Sequence, residues 1–230
     1  MNIFFIIFGL LPSFAWLIFF IKEDSHPEPK KIIAKVFIAG ALMAIFAAVF
    51  QFLLRDVFNS FQIKELGFFS FSAFAIIEEI FKFLAAYLII RKNNFFDEPI
   101  DAMIYMITAA LGFAIVENIG VAMSISNFQE VIVAITLRFV GATLLHALSS
   151  GIVGYYWAKW IIRKNNAEYK REIFIKLLFQ GIAIASLLHA IFNYLILISR
   201  EQILIYPTIF LIIIALFVFW DFEKIKSNRE

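Results

Sequence analysis

The sequence contains no cysteine and few charged residues, and these two shortages exclude several classes of protein. Without cysteine there can be no disulfide, no thiol nucleophile and no cysteine-ligated zinc or iron–sulfur site. Charged residues make up 17% of the 230 positions, too few to cover the surface of a soluble domain of this size. We therefore expect neither a soluble globular enzyme, nor a disordered chain, nor a nucleic-acid-binding domain.

Apolar residues fill the chain instead: 63% of the sequence is hydrophobic, and the mean hydropathy is +0.89. A helix that crosses the hydrocarbon of a membrane needs about 20 apolar residues. Between gaps that contain charges, Pro or Asn, the sequence predicts seven such helices, over residues 3–21, 32–54, 68–90, 100–123, 131–158, 174–198 and 203–220. The runs lack the apolar/polar alternation of membrane strands.

These runs predict an all-α, polytopic transmembrane helical bundle of about seven spans. We see no repeat, no low-complexity segment and no soluble domain, so residues 1–230 are expected to form a single integral-membrane domain. No small-residue cleavage site follows the first run, and residues 3–21 are therefore predicted to be a retained helix rather than a signal peptide.

The loop charges predict the orientation in the cell membrane, because Lys and Arg are enriched in cytoplasmic loops. Thirteen of them lie in the odd-numbered gaps and the C-terminus: Lys22, Lys30, Lys31, Arg91, Lys92, Lys159, Arg163, Lys164, Lys170, Arg171, Lys224, Lys226 and Arg229. The even-numbered gaps carry three: Arg55, Lys64 and Arg200. We predict an N-terminus outside the cell and a C-terminus in the cytoplasm.

Ionisable residues within the predicted spans are the strongest sign of function, because each is costly if it faces lipid. They are Glu78, Glu79, Lys82, Glu117, Arg138, His146 and His189. We expect them to face the bundle interior or a water-filled cavity. Three carboxylates and two imidazoles on four consecutive spans are difficult to explain by packing alone.

The spacing of these residues leaves structural alternatives open. Lys82 follows Glu78 by four residues and Glu79 by three, so an ion pair could simply hold α-helices together. Glu117 with Asn118 could be interhelical hydrogen-bonding groups, and either histidine could be a satisfied core residue. Arg138 is interpreted as a structural residue, either a counter-ion or a snorkelling residue near the outer interface. Thr143, Ser149, Ser150 and Ser186 are interpreted as helix–helix contacts. Gly112 permits close approach of two helices.

Two reactions and one transport function fit this set of side chains. A glutamate could activate water for hydrolysis while a histidine or asparagine stabilises the oxyanion. Zinc-assisted hydrolysis is also chemically consistent, although the sequence has no HExxH helix and no cofactor is favoured. Intramembrane carboxylates also carry protons or cations in transporters. Serine catalysis fits poorly, since no GxSxG-like setting occurs.

The order of the motifs resembles that of the PrsW-type membrane proteases. The first motif, EExxK, covers residues 78–82, and the second, FxxxEN, covers residues 113–118. The third centres on His146 and the fourth on His189 with Asn193. The PrsW-type proteins are similar to the wider group of glutamate-dependent intramembrane proteases, the CAAX prenyl endopeptidases and bacteriocin-processing (CPBP/Abi) proteins.

This resemblance covers a catalytic core of about residues 70–195. It implies a peptide hydrolase that acts on a membrane-anchored protein. In some members of the family that substrate is an anti-sigma factor. It implies that Glu78 or Glu79 is the base. It also implies that Glu117, His146 and His189 complete the site, with Lys82, Asn118 and Asn193 supporting; the same carboxylates and histidines would hold a metal if one is bound. The chain departs from the CAAX-type pattern at Lys82 and Glu117, so prenyl-protein processing is not implied.

A membrane-embedded protease is therefore our prediction, with a membrane-anchored protein substrate and the lipid bilayer as its partners and no nucleic acid. The main rival is a proton- or cation-coupled transporter, which needs a continuous polar path. Residues 83–90 of the third span contain only Tyr87 as a polar residue, which favours the enzyme. A third hypothesis is a non-catalytic scaffold whose polar core sets helix register.

Overall fold

The computed structural model describes residues 3–24, 26–165, 171–199 and 204–227. The described chain is helical and contains no strand, which confirms the predicted helical bundle. Its helices are α1 (Ile3–Ile21), α2 (Lys30–Ser60), α3 (Phe68–Ile90), α4 (Pro99–Ser124), α5 (Phe128–Val140), α6 (Ala142–Asn165), α7 (Arg171–Ile198) and α8 (Ile205–Ser227). Lys170, Arg200 and Arg229, three of the charges used to predict orientation, lie outside the described residues.

Six helical stretches are long and apolar enough to cross a membrane: α1, α2, α4, the α5–α6 pair, α7 and α8. α3 has a similar length, 23 residues, and differs in carrying Glu78, Glu79 and Lys82. The protein is thus a multi-pass membrane protein whose helices follow the seven predicted segments. α2, α6 and α8 each continue about two turns beyond their predicted ends, to Ser60, Asn165 and Ser227 instead of residues 54, 158 and 220.

The fifth predicted span, residues 131–158, is divided into two helices in the structure. The break falls at Gly141, between Val140 and Ala142, so the prediction of one continuous helix is wrong at this point. α5 contacts α1 and α4, whereas α6 packs against α4, α7 and α8. The break therefore allows the two halves to pack on different neighbours, and it places His146 close to the start of α6.

α4 is the central helix of the bundle and packs most closely against α6, α2 and α1. Nearly every side chain from Ile100 to Ile115 is buried. Glycines permit this packing: a Cβ added to Gly112 would lie 1.9 Å from the carbonyl oxygen of Phe37 on α2. The predicted role of Gly112 in close helix approach is confirmed, and this contact fixes the helix that carries Glu117.

At one end of the bundle, contacts join loops and the C-terminal helix end that the loop charges place on the same side of the membrane. The imidazole of His26, between α1 and α2, lies 3.4 Å from Glu98, between α3 and α4. Lys226 at the end of α8 contacts Glu23 at 3.1 Å. Which side of the membrane this end faces stays a prediction from the loop charges.

Candidate active site

Glu79 on α3 is a fully buried carboxylate with hydrogen-bond donors on both oxygens. Its Oε1 accepts from Nζ of Lys82 at 2.8 Å and from Oγ of Ser149 at 3.0 Å. Its Oε2 accepts from Oγ of Ser150 at 2.9 Å. The i, i+3 spacing within α3 produces the contact with Lys82, and the two serines come from α6. A carboxylate held in this way is a satisfied buried ion.

Glu78, the preceding residue, has a different environment. Its Oε1 accepts a 2.9 Å hydrogen bond from the side-chain amide of Gln51 on α2. Its Oε2 is buried and has no hydrogen-bond partner in the described part of the chain. This oxygen lies 3.8 Å from Nδ1 of His146 and 3.7 Å from Nε2 of His189, and Nζ of Lys82 is 3.6 Å away. These distances exceed those of direct hydrogen bonds.

His146, in the first turns of α6, joins two of the acidic motifs. Its Nδ1 lies 2.7 Å from Nζ of Lys82, and its Nε2 lies 3.0 Å from Oε2 of Glu117. Because a lysine ammonium can only donate, Nδ1 is the acceptor and the imidazole proton resides on Nε2. The proton then points at the Glu117 carboxylate, so the tautomer is set by partners on α3 and α4.

His189 on α7 completes this arrangement from the other side. Its Nδ1 lies 3.3 Å from Oε1 of Glu79, and its ring meets the ring of His146 edge-on, with centroids 5.0 Å apart. When Nδ1 donates to Glu79, Nε2 carries a free lone pair. This nitrogen lies 3.7 Å from Oε2 of Glu78. Nε2 of His189 and Oε2 of Glu78 therefore lie beside each other, and neither has a hydrogen bond from the described residues.

Arg138 at the end of α5 holds the second motif in place. Its Nη2 donates to Oε2 of Glu117 at 2.8 Å, and its Nε donates to Oδ1 of Asn118 at 2.6 Å. The amide nitrogen of Asn118 in turn donates to Oγ1 of Thr143 at 3.1 Å. Arg138 is therefore a counter-ion, as predicted from the sequence. The Glu117 side chain keeps 31% of its surface exposed, the largest exposure among the acidic residues of this site.

The structure thus brings Glu78, Glu79, Glu117, His146 and His189 into one cluster, with Lys82 and Asn118 in contact with it. Asn193 is different. Its side chain forms no hydrogen bond with another described residue, and it lines an apolar cavity between α5, α7 and α8. One turn of helix separates it from His189.

Three polar residues at this site were not singled out as functional in the sequence. Gln51 is a lone amide in a long apolar run of α2, and no spacing rule connects it to Glu78. Ser149 and Ser150 join α6 to α3 as expected for helix–helix contacts, but they do so through the carboxylate of Glu79. The sequence signal shared by all three is a polar side chain inside a predicted apolar span, which can pair with a charged residue of a neighbouring helix.

Glu78, His146 and His189 could together hold a metal ion, since one ligand atom of each lies within 4.8 Å of the others. One carboxylate and two imidazoles are a frequent ligand set of catalytic zinc. The unpartnered Oε2 of Glu78 also suits such an ion. If His146 bound the ion through Nδ1, its contact with Lys82 would have to break, because a metal and a donated proton compete for the same lone pair.

Comparisons with known proteins match this chain to the family that the order of its motifs resembles. Residues 28–220 match a family model described as PrsW family intramembrane metalloprotease. "Protease PrsW" of Oceanobacillus iheyensis is 32% identical over 220 residues, which cover 96% of this chain and 95% of that protein. "Protease PrsW" of Clostridioides difficile is 28% identical over 96% of this chain and 89% of that protein. The protein of the same name from Bacillus subtilis is 25% identical over 96% and 94%. No solved structure matches this chain.

Proposed function

Since this chain belongs to the PrsW family of membrane proteases, we propose that it cleaves a membrane-anchored protein with a water molecule activated by Glu78. The observation that carries this proposal is the difference between the two adjacent glutamates. Both oxygens of Glu79 accept hydrogen bonds, whereas Oε2 of Glu78 accepts none from the described residues and faces two imidazoles. A general base needs a free lone pair next to the proton that it removes.

In the proposed reaction, water lies beside Oε2 of Glu78 and attacks the carbonyl carbon of the scissile peptide. Glu78 takes a proton from the water as the C–O bond forms. The same carboxylic acid then returns the proton to the amide nitrogen as the C–N bond breaks, which yields a carboxylic acid and an amine. The second proton of the water then passes from the new carboxylic acid to the amine, and the products leave as a carboxylate and an ammonium group. Nδ1 of His146 and Nε2 of His189 each lie within 3.8 Å of Oε2 of Glu78. Nε2 of His189 is proposed to accept a hydrogen bond from the water and so orient it, and in the protonated imidazole the same nitrogen would donate to the oxyanion.

The other charged groups keep these side chains in place. Glu79 and Lys82 neutralise each other, and Lys82 sets the tautomer of His146. Glu117 accepts a hydrogen bond from Nε2–H of His146, and Arg138 compensates the charge of Glu117. Asn118 accepts a hydrogen bond from Nε of Arg138 and so orients its guanidinium group. In this proposal these residues position the groups that contact water and substrate.

Glu117 lies seven residues from the end of α4, about 10 Å along the helix axis. The loop charges predict that this end of α4 faces the outside of the cell. A substrate would then be cut near the outer surface of the membrane. A membrane-anchored regulator such as an anti-sigma factor, the substrate that the family resemblance implies, fits this depth.

A metal-dependent form of the same hydrolysis is favoured by one observation, the grouping of Glu78, His146 and His189. Zinc held by these residues would supply a Lewis acid that polarises the carbonyl group and acidifies bound water. The metal content of the purified protein, measured with His189→Ala as the comparison, distinguishes the two forms. One equivalent of zinc in the native protein and none in the variant would favour the metal form.

New peptide N-termini in cell membranes provide the test of the proposed function. Cells that produce the native protein are compared with cells that produce Glu78→Gln at equal abundance. We expect at least one set of N-termini in the native membranes that is absent with Glu78→Gln. Glu130→Gln, which changes an exposed carboxylate of α5, is the matched control and should give the native set.

Identical N-termini in the native and Glu78→Gln membranes would contradict the assignment of Glu78. If Glu78→Gln, Glu79→Gln and the native protein all gave the same set, the glutamate mechanism itself would be wrong. The transporter alternative is not favoured by the family to which the chain belongs. It predicts no difference in peptide N-termini, together with a loss of proton or cation flux in the same variants.

A further inference from the structure

A second buried cluster of carboxylates lies at the end of the bundle away from the active site. The segment between α1 and α2 supplies Asp24 and Glu28, and the first turn of α4 supplies Asp101. One carboxylate oxygen from each of the three residues lies within 4.8 Å of the others. Asp101 and Glu117 are separated by about 24 Å along α4. The cluster is therefore distinct from the catalytic groups.

All three carboxylates are buried, with 4% of Asp24, 8% of Glu28 and none of Asp101 exposed. Local backbone contacts account for one oxygen of each aspartate. Oδ2 of Asp101 accepts the backbone N–H groups of Asp97 and Glu98 and so caps α4. Oδ1 of Asp24 accepts the backbone N–H of His26.

The remaining oxygens of the two aspartates have no such explanation. Oδ1 of Asp101 and Oδ2 of Asp24 are buried and accept no hydrogen bond in the part of the chain that the structure describes. A buried acceptor without a partner costs about 1–3 kcal/mol, and more when it is charged. Two such atoms in one cluster require compensation by a proton or by a cation.

The third carboxylate is held rigidly beside them. Glu28 stands between Pro27 and Pro29, which restrict its backbone, and its Oε2 accepts a hydrogen bond from the hydroxyl of Tyr105.

No lysine or arginine among the described residues forms an ion pair with Asp24, Glu28 or Asp101. The imidazole of His26 is directed to Glu98. Three carboxylates this close repel one another strongly in a medium of low dielectric constant. Either a shared proton or a bound cation must reduce that repulsion.

We propose that Asp24, Glu28 and Asp101 bind a divalent cation with a preference for oxygen ligands, Mg²⁺ or Ca²⁺. Carboxylates that converge without nitrogen or sulfur donors are the ligands of these hard cations. The ion joins the segment before α2 to the first turn of α4. It thereby fastens α1 and α2 to the central helix at the end opposite the catalytic groups.

Thermal unfolding of the purified full-length protein in detergent tests this site with MgCl₂ and CaCl₂ as the probes, at constant ionic strength. Ligand binding to the folded state alone raises the unfolding temperature in a saturable way. We expect a rise of about 5 °C or more at a saturating concentration of at least one of the two cations. The cation with the lower half-saturating concentration identifies the preferred ion.

Asp24→Asn is the main variant, because Asp101 also caps α4. It should lose the cation-dependent rise, and Asp56→Asn, which changes an exposed carboxylate of α2, should keep it. Glu28→Gln retains an acceptor for Tyr105 and is the second variant, should Asp24→Asn fail to fold. Glu78→Gln should keep the full rise, which separates this site from the active site and from the proposed function.

Two results would overturn the proposal. The first is an unfolding temperature of the native protein that does not respond to either cation up to 10 mM, on the order of the weakest carboxylate sites known in proteins. The second is an equal rise in the native protein, Asp24→Asn and Glu28→Gln. A native protein insensitive to cations but stabilised by Asp24→Asn at neutral pH would show that a shared proton fills the cluster.

Discussion

The side-chain amide of Gln51 donates a 2.9 Å hydrogen bond to Oε1 of Glu78, and this bond joins α2 to the catalytic region of α3. The bond uses one carboxylate oxygen and leaves Oε2 directed at the imidazoles of His146 and His189. α2 itself contributes no ionisable group to the site. We therefore propose that Gln51 is a positioning residue, which would act on the reaction through Glu78.

Replacing Gln51 by Leu tests this positioning role. Loss of a hydrogen bond to a charged group costs about 1.5–3 kcal/mol, so the rate of cleavage should fall about 10- to 100-fold. The measurement is kcat on a cleaved substrate, together with the unfolding temperature. Phe52→Leu, on the lipid-facing side of the same helix, is the control and should leave both values near native. Native kcat in Gln51→Leu would show that Glu78 needs no such support.

The two adjacent glutamates should respond differently to the same substitution. Glu78→Gln removes the proposed base and should lower kcat about 10²- to 10⁴-fold, with little change in stability. Glu79→Gln leaves the buried Lys82 without its closest ion-pair partner and should destabilise the protein by about 3–5 kcal/mol. The measurements are the cleavage rate and the free energy of unfolding of each variant. The reverse pattern would exchange the roles of the two residues.

The sequence predicted the parts of the fold and site that depend on local spacing. Apolar runs set the helices, and the charges at positions 78, 79 and 82 share α3, so their mutual contacts follow from helix geometry. The break at Gly141 could not be predicted in this way, because glycine is common inside membrane helices. Packing of α5 on α1 and of α6 on α4 decides it.

Contacts between distant helices were less accessible to sequence reasoning. Gln51 is 27 residues from Glu78, and Ser150 is 71 residues from Glu79. Single polar residues in apolar runs have no periodicity that reveals their partners. The carboxylates and histidines were identifiable because a charge at membrane depth demands compensation, whereas an amide or hydroxyl can satisfy itself within its own helix.

Ser150→Ala tests whether the hydroxyls of α6 hold Glu79. The change removes the only hydrogen bond that the described residues give to Oε2 of this buried carboxylate, so we expect a loss of about 1–3 kcal/mol in unfolding free energy. Ser186→Ala is a close match, because Oγ of Ser186 is buried on α7 and has no partner in the described chain. It should cost less than about 0.5 kcal/mol. Equal costs for the two variants would contradict the role of Ser150.

Gly112→Ala should separate α4 from α2 and displace Glu117, which α4 contributes to the candidate active site. A Cβ at Gly112 would lie 1.9 Å from the carbonyl oxygen of Phe37, and one at Gly40 would lie 2.0 Å from the carbonyl oxygen of Ala109. Neither backbone atom can move without shifting its helix, so we expect Gly112→Ala to lower the free energy of unfolding by about 3 kcal/mol.

Gly120→Ala, on the same helix, is the matched control for this change. A Cβ at Gly120 meets nothing within 4 Å, so alanine should stabilise α4 by up to about 1 kcal/mol through its greater helix propensity. Denaturant titration in detergent measures both effects. Because α4 also carries Glu117, Gly112→Ala should reduce cleavage as well as stability, while Gly120→Ala keeps it. Full activity and native stability in Gly112→Ala would mean that the α2–α4 contact does not position the second motif.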